Sequence, residues 1–156
     1  MSHIRIAETG EMASIIPQGL GDFIVGLEPM ETLRVIRALG SPEVCTLTNT
    51  CPIAPIDVIA GNLSYPDLSD NLQAVQVLSR RARVFNASDI ALEMGNPLLT
   101  NMRMVEALIG TEVLPLTMDD FVDILSNHTN KKSYRMNAMA LKKGMGIIKR
   151  GNDGRG

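Results

Sequence analysis

Between Asp22 and Arg34 the chain reads DFIVGLEPMETLR, a β-prone triplet that gives way abruptly to a helix. Phe23, Ile24 and Val25 lie between Gly21 and Gly26, the pattern of a strand buried on both faces. Pro29 suits the first helical turn, where its missing N–H would have had no partner. A strand feeding a helix is half of a βαβ unit. In an open parallel sheet, ligands and partners gather beyond the carboxyl ends of the strands, which places Leu27, Glu28 and Pro29 on the functional edge.

A chain of 156 residues is long enough to bury roughly two-thirds of its unfolded surface, so one domain with a real core is expected over residues 1–150. Its formal net charge of -2 gives no electrostatic ground for binding nucleic acid. Aromatic residues make up 3% with no Trp, while Met reaches 10, so stacking platforms are excluded and the core falls to aliphatic and Met side chains. No stretch approaches the roughly 20 apolar residues of a membrane span, and His3, Arg5, Glu8 and Glu11 interrupt any signal-peptide core. A cytoplasmic protein is expected, without a membrane partner. Cys45 and Cys51 match neither zinc nor iron-sulfur spacing and read as reduced, incidental thiols.

The remaining pattern alternates strands and helices. Ser2 to Ala7 alternates polar and apolar residues as a strand does, and a second extended piece is expected from Ala13 to Ile16. The helix after Pro29 runs to Leu39 with Gly40 as its cap, and Glu43 to Thr48 forms the next strand. Pro52 and Pro55 rule out regular helix or central strand from Asn49 to Gly61, so a shaped loop is expected. A turn at Tyr65-Pro66-Asp67 leads into a helix that ends near Arg81, with Val84 and Phe85 in a short strand. Ser88 is read as the cap of a helix to Met94, Leu99 to Ile109 as another, and Thr117 with Asp119 and Asp120 as the start of a third. Asn127 to Lys131 reads as a linker, Ser133 to Lys149 as a Met-bearing helix, and residues 151–156 as a disordered tail. Strands with intervening helices, followed by helices alone, define an α/β sheet with a helical C-terminal third.

The chemistry is sparse. His3 and His128 have no neighbouring acid or nucleophile, and both read as structural or solvated. Asp119 and Asp120 point about 100 degrees apart on a helix and serve its start better than paired acid–base work. Asp67 and Asp70 have the same reading. Gly144-Met145-Gly146 lies late in a helix with no strand before it, which fails the requirement for a phosphate loop. Glu28, Asn49, Thr50, Ser88 and Asp89 remain as cofactor-binding candidates, because all lie at or just beyond expected strand ends. The competing reading is that Asn49 and Thr50 shape the Pro52 loop while Ser88 and Asp89 cap a helix. No catalytic or metal-ligating set emerges.

Six segments, SHIRI at Ser2, DFIVGLEPMETLR, NTCPIAP at Asn49, YPD at Tyr65, ALEMGNP at Ala91 and LPLTMDDF at Leu114, together resemble the small, thiamine-free subunit of 2-oxoacid:ferredoxin oxidoreductases, most closely the indolepyruvate type. The resemblance implies a three-layer, Rossmann-like, mostly parallel sheet. It also implies a complex that oxidatively decarboxylates arylpyruvates to acyl-coenzyme A and passes electrons to ferredoxin. Thiamine diphosphate and iron-sulfur clusters would belong to a larger partner subunit, with coenzyme A as cosubstrate and no cofactor on this chain. Docking is expected through the Pro-rich loop and the Met-bearing last helix. Members of the family usually begin with a strand, a G-x-G-G-Q-G loop and a helix, and this sequence starts downstream of them. A truncated, split or alternatively started subunit that leans on another chain is therefore expected. The gamma subunit of a 2-oxoglutarate or branched-chain oxoacid enzyme, and a free-standing α/β binding domain, are the alternatives.

Overall fold

The computed structural model describes residues 1–10 and 13–128, so the expected last helix and tail lie outside the described residues. The chain divides into two compact units, residues 1–84 and residues 85 onward.

The first unit is built on a three-stranded parallel sheet in the order β1-β2-β3. The strands are β1 (Gly21–Gly26), β2 (Gly40–Asn49) and β3 (Arg81–Phe85), whose last residue opens the second unit. β1 pairs with β2 so that Phe23 faces Cys45, Ile24 faces Thr46 and Gly26 faces Thr48, with an irregularity between Gly21 and Phe23. Helices α1 (Pro29–Leu39) and α3 (Leu68–Leu78) make the two crossovers and pack against each other. Ile24, Ile36, Val44 and Val75 form a buried core cluster, flanked by Leu33, Val35 and Ala82. Each fully buried aliphatic side chain of this kind contributes roughly 1.5–3 kcal/mol.

Local signals place the helix starts well. Asp67 accepts from the N–H groups of Ser69 (2.7 Å) and Asp70 (3.2 Å), satisfying two donors that the first turn of α3 leaves open. Gly40 does cap α1, donating to Ile36 O, but its backbone is extended and not left-handed. A Cβ there would meet Ile36 O at 2.7 Å, so close approach is what requires glycine.

Several expectations are corrected. Residues 2–7 and 13–16 form no strand. Ile4, Ile6 and Ile15 are exposed, and the segment is held by side-chain bonds, with Ile16 N–H donating to His3 Nδ1 (3.1 Å) and Arg5 Nη1 to Ala13 O (2.9 Å). Alternation makes a strand only where a neighbour supplies the ladder. Val25 is 41% exposed, so β1 is not buried on both faces. The loop after β2 contains one short helix, α2 (Ile56–Ile59), because Pro55 can begin a helix even though it cannot continue one. Helix α3 ends at Leu78 with Ser79 as its cap; Arg80 donates its N–H to Val44 O (2.9 Å) and Arg81 opens β3.

The second unit contains α4 (Ala87–Glu93), a 3₁₀ turn (Pro97–Leu99), α5 (Thr100–Ile109) and α6 (Met118–His128). Ala91 and Leu99 are buried together, with Met94 and Met102 against them. The cap of α4 is Asn86, which accepts from Asp89 N–H (3.0 Å), so Ser88 lies inside the helix and is not its cap. Thr117 and Asp120 cap α6 reciprocally, Thr117 N–H donating to Asp120 Oδ2 (2.7 Å) and Asp120 N–H to Thr117 Oγ1 (3.2 Å). Bonding to Thr117 holds the Asp120 carboxyl below the usual range. The expected linker at Asn127 begins instead inside α6. No described helix is long and apolar enough to cross a membrane.

Candidate functional site

The carboxyl ends of β1 and β2 converge on a polar cluster. It begins with Gly26, the last residue of β1, where an added Cβ would lie 1.7 Å from Thr32 Oγ1. Absence of a side chain lets α1 press against the strand end. Thr32 Oγ1 donates to Glu28 O (2.6 Å) and also contacts Thr48 Oγ1 (2.8 Å), both hydroxyls being buried. A hydroxyl has one proton, and that of Thr32 is committed to the carbonyl, so Thr48 is the donor between the two.

Glu28 caps α1. Its carboxylate accepts from Met30 N–H at Oε1 (3.1 Å) and from Glu31 N–H at Oε2 (2.8 Å), and the residue is only 5% exposed. Glutamate is not among the preferred capping residues, and here its longer side chain folds back to reach both amides. The negative charge sits where the helix dipole favours it. Tyr65, from the irregular segment before α3, donates its hydroxyl to Glu28 Oε1. Burial, reinforced by this carboxylate, pushes the Tyr65 phenol well above its ordinary pKa. A phosphate at this helix end would have to displace the chain's own carboxylate.

Asn49, at the end of β2, donates from Nδ2 to Leu27 O (3.1 Å) and accepts from Cys51 N–H at Oδ1 (3.4 Å). It thereby ties the exits of β1 and β2 together. Glu28 and Asn49 therefore belong to one cluster, with Tyr65 and half-buried Cys51 beside them. Thr50 follows on the half-buried exit from β2. Ser88 and Asp89 lie in the second unit, where Asp89 Oδ2 accepts from Asn86 Nδ2 (2.7 Å). Among the described residues no group of three or more His, Cys, Asp or Glu is placed to hold a metal ion, and both cysteines are free thiols.

Thr32, Thr48 and Tyr65 are members of the cluster that the strand-end pattern does not single out. The Thr46-Leu47-Thr48 alternation did carry a signal, since two threonines two apart in a buried strand share one face and need partners. The Tyr65 contact spans 37 positions and leaves no local trace.

Residues 1–147 match the sequence pattern of the family described as pyruvate ferredoxin/flavodoxin oxidoreductase. The chain is 32% identical over 142 residues to the protein named indolepyruvate oxidoreductase subunit IorB of Archaeoglobus fulgidus, covering 91% of this chain and 69% of that relative. It is 30% identical over 145 residues to the protein of the same name from Methanothermobacter thermautotrophicus, covering 93% of this chain and 72% of the relative. The corresponding protein of Thermococcus kodakarensis is 28% identical over 150 residues, 96% of this chain and 73% of its own length. A strand-helix-strand core whose strand-end cluster falls inside a match of this extent belongs to the pyruvate ferredoxin/flavodoxin oxidoreductase family.

Proposed function

We propose that this chain is the small, thiamine-free subunit of an indolepyruvate:ferredoxin oxidoreductase, supporting the oxidative decarboxylation of arylpyruvates to acyl-coenzyme A with electrons passed to ferredoxin. The observation that carries this reading is the shared name of the relatives, each matched over more than nine-tenths of the chain described here. The reading places thiamine diphosphate and iron-sulfur clusters on a larger partner subunit, where they would supply carbanion stabilisation and single-electron transfer.

In this reading the small subunit contributes shape and docking surface. Two of its candidate strand-end residues are engaged in holding the chain itself: Glu28 holds α1 and Tyr65, and Asn49 holds the β1 exit. The loop after β2 supports docking through the Pro-rich segment, since Ile53, Ile56, Ile59 and Leu63 are 63%, 75%, 71% and 64% exposed. Apolar side chains grouped on one surface mark contacts with other chains.

The test is affinity capture of the tagged chain from its native host, followed by thiamine and iron analysis of what accompanies it. A larger chain bearing both is expected, together with arylpyruvate- and coenzyme A-dependent reduction of a viologen dye. Faster reduction with 2-oxoglutarate or branched-chain oxoacids would move the protein to another substrate branch. Recovery of the chain alone would overturn the subunit reading.

A further inference from the structure

Residues 50–67 leave the sheet at Asn49 and return to it through Tyr65 and the α3 cap Asp67. From residue 52 to residue 64 every side chain is exposed except half-buried Val58. Burial therefore does little to hold the segment down.

Its backbone hydrogen bonds close within the segment itself. Val58 and Ile59 donate to Pro55 O (both 3.0 Å), Ala60 to Ile56 O (2.8 Å), Gly61 to Val58 O (3.1 Å), and Asn62 and Leu63 to Asp57 O (2.9 and 3.2 Å). Gly61 turns the chain with a φ of 77°, a conformation that glycine adopts without penalty. Residues 55–63 thus form a self-bonded knot that can be displaced without breaking any of these bonds.

The two side-chain ties differ in kind. Asn49 is buried, and freeing it would strand a carboxamide that bridges Leu27 O and Cys51 N–H. Tyr65 is half-buried, its hydroxyl can turn to water, and Glu28 keeps both helix amides when the phenol leaves.

We propose that residues 50–66 are a flap over the carboxyl edge of the sheet, with the 55–63 knot as its rigid body, hinged at its two chain ends, beside Asn49 and before the α3 cap Asp67, and latched by the Tyr65 hydroxyl on Glu28. Release of the latch lifts the knot intact and uncovers the Glu28 carboxylate at the strand ends. The flap is a property of this chain and is tested without any activity measurement.

The test places nitroxide labels at Arg37→Cys on α1 and Ile59→Cys on the knot, in a Cys45→Ala/Cys51→Ser background, and reads the distance distribution by pulsed electron resonance. With Tyr65 present, one distance should dominate. Tyr65→Phe removes a hydrogen bond to a carboxylate and should raise a second, longer-distance population about tenfold or more. Amide exchange at Ala60, Asn62 and Leu63 should stay unchanged, because the knot moves whole. Glu28→Gln keeps acceptor oxygen but loses the charge, so it should give a smaller rise and serves if the Phe variant folds poorly. An unchanged distance in both variants would overturn the latch. Loss of amide protection together with broadened distances would overturn the rigid flap, leaving Tyr65 as an ordinary packing residue.

Discussion

The two units each bury a polar pair at hydrogen-bond distance, and they do it on opposite terms. In the first, Thr48 donates to Thr32 at 2.8 Å, Thr32 gives its own proton to Glu28 O, and Asn49 O at 3.2 Å stands as an alternative acceptor for the Thr48 proton. In the second, Arg103 and Glu106 meet at 2.6 Å on α5, with side chains 3% and 2% exposed, and among the described residues Glu106 Oε1 has no hydrogen-bond partner. A neutral pair with spare acceptors can be buried at little net cost. A charged pair must recover the hydration of two ions, and one unfilled carboxylate oxygen makes that recovery incomplete.

The largest expected effect follows from removing one ion. Arg103→Ala leaves Glu106 buried beside a void and should lower unfolding free energy by about 3–5 kcal/mol in denaturant titration. Replacing both, as Arg103→Met with Glu106→Leu, should recover most of that loss or exceed the parent's stability. A mild single variant would erase the contrast between the units, for it would mean that water already serves the pair.

How far such features can be read in advance depends on how local their cause is. Phe23-Ile24-Val25 and the Pro29 start of α1 were legible because strand propensity and helix entry act within a few residues. Asp67 and the Thr117–Asp120 cap were legible for the same reason, since each closes its bonds within three positions. Ser88 was misread because Asn86, two residues earlier, reaches Asp89 N–H and takes the cap. The alternation at Ser2 to Ala7 misled because a ladder partner is a long-range fact. At the candidate site, Glu28 and Asn49 were placed on the correct edge by the strand-end rule, while their ties to Tyr65 and Leu27 come from chain crossings that no local pattern encodes.

A second way to sharpen the contrast is pH. Burial pushes the Glu106 carboxyl up to about 7, against the opposing pull of Arg103. Its value in the unfolded chain is the ordinary 4.5, so between 4.5 and 7 the folded state holds more protons than the unfolded one. This contribution to stability is therefore full below about 4.5 and declines as pH rises through about 7. Melting temperature measured from pH 5 to about pH 8 should fall through this range in the parent and fall less in Glu106→Gln. Equal slopes in the two proteins would assign the pH dependence elsewhere. No comparable slope can come from the threonine pair, which carries no titrating group.

The smallest effects belong to the hydroxyls, and their pattern is more informative than their size. Thr48→Val removes a donor to Thr32, but Thr32 keeps Glu28 O as its acceptor. Thr32→Val removes that donor, yet Glu28 O still accepts from Thr32 N–H (3.0 Å), and Thr48 can turn its proton to Asn49 O. Each isosteric single change should therefore cost only about 1 kcal/mol or less. The double variant should cost less than the two singles added together, because the same shared bond is lost in each. Chemical denaturation of the three variants measures this directly. A single-variant loss above about 2 kcal/mol would mean that the alternative acceptors are not used. The strand-end cluster would then be as unforgiving as the ion pair, and the distinction between spare and missing partners would not be what separates the two units.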